Sequence, residues 1–484
     1  MLNWIWLAFL LVAVLVGGFN GKLPEMTNGA FESAKDAVMT LALPLVGLMA
    51  IWLGIMRLAE RSGLVQFIAQ LLRPLLRLLF PEVPPDHPAM AAMVMNMAAN
   101  MLGLGNAATP LGLRAMSLLE RLNPRPGTAT NAMCTFLAIN TASIQLVPTT
   151  AIAILAVNHA QNPTSIVLPA FLATCVAATS GVCAAKFLER LPIFRVKVAN
   201  AEERKADSEP EAEREAVPEE VPLEKLEVPP LTNVRRMLLI LFAGAFVFFF
   251  IKLTCPSVIH QPLPVDGPTP QAASAALEEA MSRSIFTGAA TTPALVYGLT
   301  QPPVKGAVLR ALLAISTLAV PFLLSFFPLY AALRRVKVYE QFVEGAKEAF
   351  NVALRIIPFL VAMLVSLRML REAGVIALVT GWLSPVLNFI GFPPDLLPMV
   401  LMRPLSGSAT LSLFTELAQH LGGDHLVSRM AGTIFGSTET TFYVIAVYFG
   451  SVAVRQTRHA ILAGLTADTV AVIASITLCR LFFT

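Results

Sequence analysis

The amino-acid sequence predicts an all-α polytopic membrane protein built from two repeats of opposite orientation. Of its 484 residues, 56% are hydrophobic and only 14% are charged, whereas about a quarter of the residues in soluble domains are charged. The apolar residues form long runs, which is typical of helices that need about 20 residues to cross a membrane. A third observation is a set of interrupted helices that occurs in the same order in each half of the chain.

Uninterrupted apolar runs predict single spans at 38–58, 165–188, 234–253, 306–332, 350–370 and 458–482. The shorter run 4–19 is interpreted as a retained first helix, because no positive region precedes it and no clear cleavage site follows it. A polar stretch at 20–37 separates it from the first span. Charged and Pro-rich residues at 197–232 predict a solvated linker, and a polar loop is predicted at 254–303.

Four further apolar segments are interrupted by small and polar residues. The arms of segment 88–120 and of the segment broken at 406–408 are too short to cross a membrane, which predicts two re-entrant helical hairpins. Segment 129–158 and the helix broken at 436–440 are predicted to be broken transmembrane helices. Such breaks are tolerated in a membrane only where they are buried in protein or line a wet cavity.

The two halves also share short sequence motifs in the same order. GNAAT (105–109) resembles SGSAT (406–410), and NTASIQ (140–145) resembles STETTF (437–442). Each half is predicted to cross three times, and two spans lie between the halves. The three crossings of the first half plus the two connecting spans make an odd number, so the second half begins on the opposite side of the membrane. Repeats that are inverted in this way are a design of secondary transporters.

The predicted division of the chain is 1–195 (first repeat), 196–233 (linker), 234–335 (two connecting spans) and 336–484 (second repeat). Arginine and lysine lie mostly on the side of the linker. The positive-inside rule therefore predicts a cytoplasmic N-terminus and linker and an external C-terminus, in a bacterial inner membrane. A stretch at 64–80, with Arg73 and Arg77 on one face, predicts an amphipathic helix at the membrane surface.

The four helix breaks are predicted to form one substrate site, because interrupted helices leave backbone N–H and C=O groups free. The candidate substrate-binding side chains are Asn100, Asn106, Thr109, Asn140, Thr141, Ser143, Gln145, Arg403, Ser406, Ser408, Thr410, Ser437, Thr438, Glu439 and Thr440. Arg403 and Glu439 are costly to place in a membrane, which favours a functional role. Two alternatives stay open: Glu439 pairs with Arg403, and individual Ser and Thr side chains only bond neighbouring helices.

The sequence resembles spore maturation protein A over about 1–195 and spore maturation protein B over about 335–484. The stretches that carry the resemblance are NMAANMLGLGNAATPLGLRAM (96–116), FLAINTASIQLVPTT (136–150), RPLSGSATLSLF (403–414) and GTIFGSTETTFYVIAVYFG (432–450). Both families belong to the nucleoside-recognition, or Gate, domain group. The resemblance implies two Gate-type repeats, which are related to domains of concentrative nucleoside transporters and ferrous-iron permeases.

The predicted function is secondary transport or permeation of a small polar or anionic solute, nucleoside-like solutes included. Arg403 is predicted to bind an acidic group, and Glu439 a coupling cation or proton. Alternatives are a divalent-metal permease and a non-transporting membrane scaffold or regulator of the envelope or of spore maturation. No enzyme motif is present. The sequence predicts no cofactor, no metal site and no nucleic-acid partner; its partners are a solute or ion and the lipid bilayer, and a homo-oligomer is an open alternative.

Overall fold

The computed structural model describes residues 2–103, 105–194, 232–254, 307–375 and 391–483, with isolated positions between 376 and 390. These residues form helices and turns, and the one β-type contact among them is an isolated bridge between Thr128 and Gln456. The predicted linker and the predicted loop at 254–303 lie, apart from their end residues, outside the described part. In the described part of the chain, five helical segments are long and apolar enough to cross a membrane: Leu23–Arg61, Pro163–Leu188, Asn233–Thr254, Ala314–Leu333 and Ala460–Phe483. The predicted all-α polytopic fold is therefore confirmed.

The first half contains α1 (Leu2–Phe19), α2 (Leu23–Asp36), α3 (Leu43–Arg61), α4 (Leu64–Leu79), α5 (Pro88–Met101), α6 (Gly105–Arg121), α7 (Asn131–Ala142), α8 (Thr149–Val157) and α9 (Val167–Leu188). The polar stretch predicted at 20–37 forms a helix, α2, over Leu23–Asp36. A π-helical turn at Ala37–Ala42 joins α2 to α3. The stretch is helical because it is amphipathic, and it buries Met26 and Gly29 against the second half.

The connecting helices are α10 (Asn233–Thr254) and α11 (Ala307–Leu333); the second half contains α12 (Val338–Glu372), α13 (Leu397–Met402), α14 (Gly407–Leu421), α15 (Leu426–Ser437), α16 (Thr441–Gly450) and α17 (Ala460–Phe483). The predicted span 350–370 is only the C-terminal part of α12. That helix begins 12 residues earlier at Val338, where Lys337–Glu340 and Lys347–Glu344 ion pairs at i,i+3 spacing support its polar first turns.

Local sequence explains three of the four helix breaks. Gly103, with φ +74°, ends the first arm of the α5–α6 hairpin. Ser143, with φ 38°, ends α7 in the left-handed conformation, and Pro148 precedes α8. The hairpin of the second half breaks at 403–406, slightly before the predicted 406–408, because the Ser406 hydroxyl accepts a hydrogen bond from the Ala409 amide (3.2 Å) and caps α14.

Corresponding spans of the two halves pack against each other in antiparallel pairs. Along α2–α3 and α12, Gly29 lies against Arg368 and Gly54 against Phe342, so residue numbers rise in one helix as they fall in the other. Along α9 and α17, Gly181 lies against Ala467, and Ala185 clusters with Ala463. This antiparallel packing is the arrangement that repeats of opposite orientation require.

The loops divide into two groups, one at each end of these antiparallel pairs. At one end, the Ala129 amide donates to the Gln456 carbonyl (3.0 Å) and the Arg455 amide to the Gly127 carbonyl (2.9 Å). At the other end, the Gly423 amide donates to the Asn158 carbonyl (3.2 Å). Each group contains loops from both halves, so the halves are joined at both ends of the molecule as well as along their helices.

The closest helix contact in the α3–α12 pair is at Gly345. A Cβ atom added there would lie 2.5 Å from the Leu53 carbonyl oxygen and 3.0 Å from the Gly54 Cα atom. We therefore expect Gly345→Ala to lower the free energy of unfolding by about 1–3 kcal/mol, because backbone atoms must move. Unfolding of the purified protein in mixed detergent micelles measures the effect.

The matched control is Gly47→Ala on α3, where an added Cβ atom would have no neighbour within 4 Å. This control should leave stability unchanged or raise it slightly, since alanine favours a helix more than glycine does. Equal stability of the two variants would contradict the packing described for Gly345.

The loop before α17 contains a fully buried histidine. Arg458 donates to the carbonyl oxygens of Phe194 and Ala129 (both 2.9 Å), and the ring of the adjacent His459 lies 5.8 Å from that of Phe194. Neither imidazole nitrogen of His459 has a hydrogen-bond partner among the described residues. Burial, with smaller effects of Arg458 and Lys186, lowers the pKa of His459 from 6.5 to about 4.

This lowered pKa predicts acid sensitivity. Above about pH 6.5 the imidazole is neutral in both the folded and the unfolded protein. As the pH falls from about 6.5 to about 4, only the unfolded chain binds the proton, so stability decreases by about 1.4 kcal/mol for each pH unit. We expect His459→Leu to remove this contribution in unfolding curves recorded across that window. The exposed His159→Asn variant should keep it, and an unchanged pH slope in His459→Leu would contradict the assignment.

Candidate functional site

In each half, one backbone hydrogen bond joins the broken helix to its own hairpin. In the first half, the Leu146 amide donates to the Met101 carbonyl at the end of α5 (2.9 Å). In the second half, the Phe442 amide donates to the Pro404 carbonyl in the turn before α14 (3.0 Å). Both bonds satisfy backbone groups that the breaks leave without a helical partner. The hairpin turn and the helix break therefore lie side by side in both repeats.

A third backbone bond connects the two halves at their breaks. The Glu439 amide donates to the Thr141 carbonyl over 2.7 Å, which links the α15–α16 break to the end of α7. The side chains of Gln145 and Glu439 also approach each other, with 3.5 Å between Nε2 and Oε1. The structure thus brings the predicted residues of both broken helices together.

Four polar side chains form a buried amide cluster beside this contact. Asn100 Nδ2 donates to Asn140 Oδ1 (2.9 Å), which also accepts from the Tyr448 hydroxyl (3.3 Å). Asn96 Nδ2 lies 3.4 Å from the same hydroxyl, and Asn96 Oδ1 has no partner among the described residues. Sequence reasoning had selected Asn100 and Asn140 but missed Asn96 and Tyr448, which lie within helices rather than at breaks.

Arg403 is buried, with 3% of its surface exposed. It donates from Nη2 to the Phe435 carbonyl (3.0 Å), and its guanidinium carbon lies 5.1 Å from the centre of the Phe435 ring. Its Nη1 lies 3.5 Å from the Thr440 hydroxyl, and its Nε has no partner among the described residues. Arg403 and Glu439 do not form an ion pair, so the simple pairing left open from the sequence does not occur.

Asp468, on α17, is a further buried carboxylate that sequence reasoning missed. Only 6% of the residue is exposed, and the Thr441 hydroxyl donates to its Oδ2 atom over 2.5 Å. The signal was present in the sequence, because Asp468 is the one acidic residue of an otherwise apolar helix.

Several predicted hydroxyl groups serve their own helices. The Thr410 hydroxyl donates to the Ser406 carbonyl (2.7 Å), and the Ser437 hydroxyl to the Ile434 carbonyl (3.1 Å). The Ser406 and Ser408 hydroxyls lie 3.2 Å apart at the cap of α14. These contacts give the hydroxyl groups structural partners, which lie in their own helices rather than in the neighbouring helices that the alternative named.

The remaining predicted residues differ in their surroundings. Thr141 is fully buried, and its hydroxyl has no partner among the described residues. The Ser143 hydroxyl lies 3.4 Å from Gln145 Nε2. Thr109, on α6, is half-buried, and the side chain of Asn106 lies outside the described part of the structure.

Two apolar clefts lie apart from the polar groups. They contain about 200 and 210 Å³ of empty volume and are lined mainly by apolar side chains of α3, α8 and α12. Neither cleft is lined by the amide cluster, Arg403, Glu439 or Asp468. Among the described residues there is also no group of three or more His, Cys, Asp or Glu side chains placed to hold a metal ion.

A family model described as nucleoside recognition, Gate, matches residues 42–157 and 353–455. The chain is 41% identical to spore maturation protein A of Bacillus subtilis (strain 168) over 182 residues, which are 38% of this chain and 92% of that protein. It is 39% identical to spore maturation protein B of the same organism over 169 residues, 35% of this chain and 95% of that protein. The chain belongs to the spore maturation protein A and B family. Its matches to both proteins are consistent with a fusion of the two, and no solved structure matches it.

As a member of this family, the chain is a multi-pass membrane protein with Gate sequence in each half. The two matched Gate regions include the hairpins and the broken helices, and therefore the contact between Glu439 and Thr141. Asp468 lies beyond the second matched region, on the span that follows it.

The amide cluster leads to a stability prediction. Asn140→Leu removes the acceptor shared by Asn100 and Tyr448 and leaves both donors buried without it. We expect the free energy of unfolding to fall by about 1–3 kcal/mol, measured by denaturation in mixed micelles. Thr466→Ala is the control, because that exposed hydroxyl bonds only the Leu462 carbonyl of its own helix. Wild-type stability in Asn140→Leu would show that the cluster does not hold the broken helix.

Proposed function

We propose that the protein is a secondary transporter or permease of a small polar or anionic solute, which binds between the two repeats. The observation that carries this proposal is the 2.7 Å hydrogen bond from the Glu439 amide to the Thr141 carbonyl. It lies where the broken helices of two oppositely oriented repeats meet. Secondary transporters place their solute at such helix breaks, because unwound backbone supplies donors and acceptors in the middle of the membrane.

The Arg403 guanidinium favours an anionic or strongly polar group on the solute. Arg403 is a buried cation whose Nε donor has no partner among the described residues. An anionic oxygen placed near it would gain a charge-assisted hydrogen bond. The Phe435 carbonyl already accepts a hydrogen bond from Arg403 Nη2. This bond holds the guanidinium in place before a solute binds.

The amide cluster supports a solute with several hydrogen-bonding groups. Asn96 Oδ1 and the Thr141 hydroxyl are buried atoms without partners among the described residues. Each unpaired group costs free energy that a solute recovers by bonding to it. Nucleosides combine donors and acceptors in this way, and the description of the matching family model, nucleoside recognition, makes them the first class to test.

We assign the cytoplasmic side to the loops that contain residues 127–131 and 455–459. These loops contact each other and carry or adjoin the basic residues Arg125, Arg455 and Arg458. The positive-inside rule favours this side as cytoplasmic, which puts the N-terminus in the cytoplasm and the C-terminus outside, in a bacterial inner membrane.

The proposal is tested by a ligand screen on the purified full-length protein. Thermal unfolding is recorded with nucleosides, small carboxylates, phosphates and divalent metals. A bound solute at 100 times its dissociation constant should stabilise the protein by about 2.7 kcal/mol. We expect a nucleoside or an anion to do so, and Glu439→Gln to weaken its binding at least tenfold, because Glu439 lies at the junction of the breaks.

Glu344→Gln is the matched control, since this exposed carboxylate pairs with Lys347 at the surface. It should bind the solute as the wild type does. Stabilisation by a divalent metal alone would favour a metal permease instead. No stabilisation by any class, with Glu439→Gln indistinguishable from wild type, would favour a membrane scaffold or regulator and overturn the transporter.

A further inference from the structure

We propose that Asp468 is the residue that carries a coupling proton, and that its protonation changes when the two repeats move. This inference rests on the proposed transport function and adds its driving ion. A carboxylic acid exchanges a proton with water on one side of the membrane in one arrangement of the repeats, and with the other side in the other arrangement. The proton is the only group transferred in this step.

The charge balance of the site requires one more positive charge. Asp468 and Glu439 are carboxylates, and among the described residues Arg403 is the cation whose charge acts on Asp468. With all three ionised, the group has a net charge of −1. An uncompensated charge inside a membrane is costly, and one bound proton removes it.

The other helices packed against α17 do not supply that charge. Helices α7 and α16 contain no Asp, Glu, Lys, Arg or His. The basic residue of α9 is Lys186, whose charge acts on His459, just before the first residue of α17. The basic residue of α15 is Arg429, which lies 4.6 Å from the ring of Phe483 at the other end of α17. Asp468 therefore faces Arg403 and Glu439 alone among the charged groups of the described residues.

The hydrogen bonds of Asp468 leave one oxygen open to a proton. Thr441 donates to Oδ2, whereas Oδ1 is buried and has no partner among the described residues. A proton on Oδ1 therefore breaks no existing hydrogen bond. Thr441 is the first residue of α16, so the protonation state of Asp468 acts directly on the broken helix.

A comparison of the two repeats shows that the carboxylate is specific to one of them. Asp468 lies in the sequence ADTVA (467–471), and the corresponding span of the first half contains ATCVA (173–177). There Thr174 occupies the place of Asp468, and its hydroxyl donates to the Ala142 carbonyl at the end of α7 (2.6 Å). The same position contacts the helix break in both halves, and only the second half has a group that titrates.

The test is infrared difference spectroscopy of the full-length protein in lipid bilayers during pH steps between 5 and 8. The wild type should show a protonated-carboxyl C=O band that grows as the pH falls. Asp468→Asn should lose that band completely, and Asp468→Glu should shift it without removing it. The surface control Glu344→Gln should keep it.

Three results would overturn the inference: a band that persists in Asp468→Asn, a wild-type spectrum without a titrating band, or a band that sodium abolishes when choline does not. The ligand screen is independent of this experiment. If the protein binds a solute but Asp468 does not titrate, the transport proposal is kept and only the proton assignment of Asp468 is overturned. A titrating Asp468 without any solute binding would identify Asp468 as a proton-binding residue but overturn transport, and with it the coupling role of that proton.

Discussion

The structure depends on the need to satisfy backbone polar groups where helices are interrupted inside a membrane. Water is absent there, so each free N–H or C=O group must find a partner in the protein. The Leu146–Met101 and Phe442–Pro404 bonds do this within each half, and the Glu439–Thr141 bond does it between halves. The breaks therefore hold the hairpins and both repeats together at the same place where they expose polar side chains.

The same constraint separates structural polar groups from candidate functional ones. Hydroxyl groups such as that of Thr410 return to their own helix backbone, and their presence needs no solute. Arg403 Nε, Thr141 Oγ1 and Asp468 Oδ1 are buried without partners among the described residues. Because unpaired buried groups are costly, these three atoms are candidates to bond a solute or a proton at the contact between the repeats. Other atoms of this kind, such as both imidazole nitrogens of His459, lie away from the breaks.

Much of the fold was predictable because it follows from short-range rules. Apolar runs predicted the spans, and Gly103, Pro148 and Ser406 interrupt helices through their own backbone preferences. Local patterns do not show which distant helix a segment packs against. Helix α2 buries Met26 and Gly29 on α12, which lies more than 300 residues away in the sequence, and no pattern within α2 identifies that partner.

By itself, the sequence determined the membrane class, the repeat and the positions of the breaks, since apolar run length and backbone preference are properties of neighbouring residues. The tertiary structure decided which polar groups meet. Only the packing of α17 beside the α15–α16 break brings Asp468 to Thr441. Tertiary packing also places the Arg403 guanidinium on the Phe435 carbonyl instead of in an ion pair with Glu439. Such contacts depend on how distant helices pack, which local sequence does not encode.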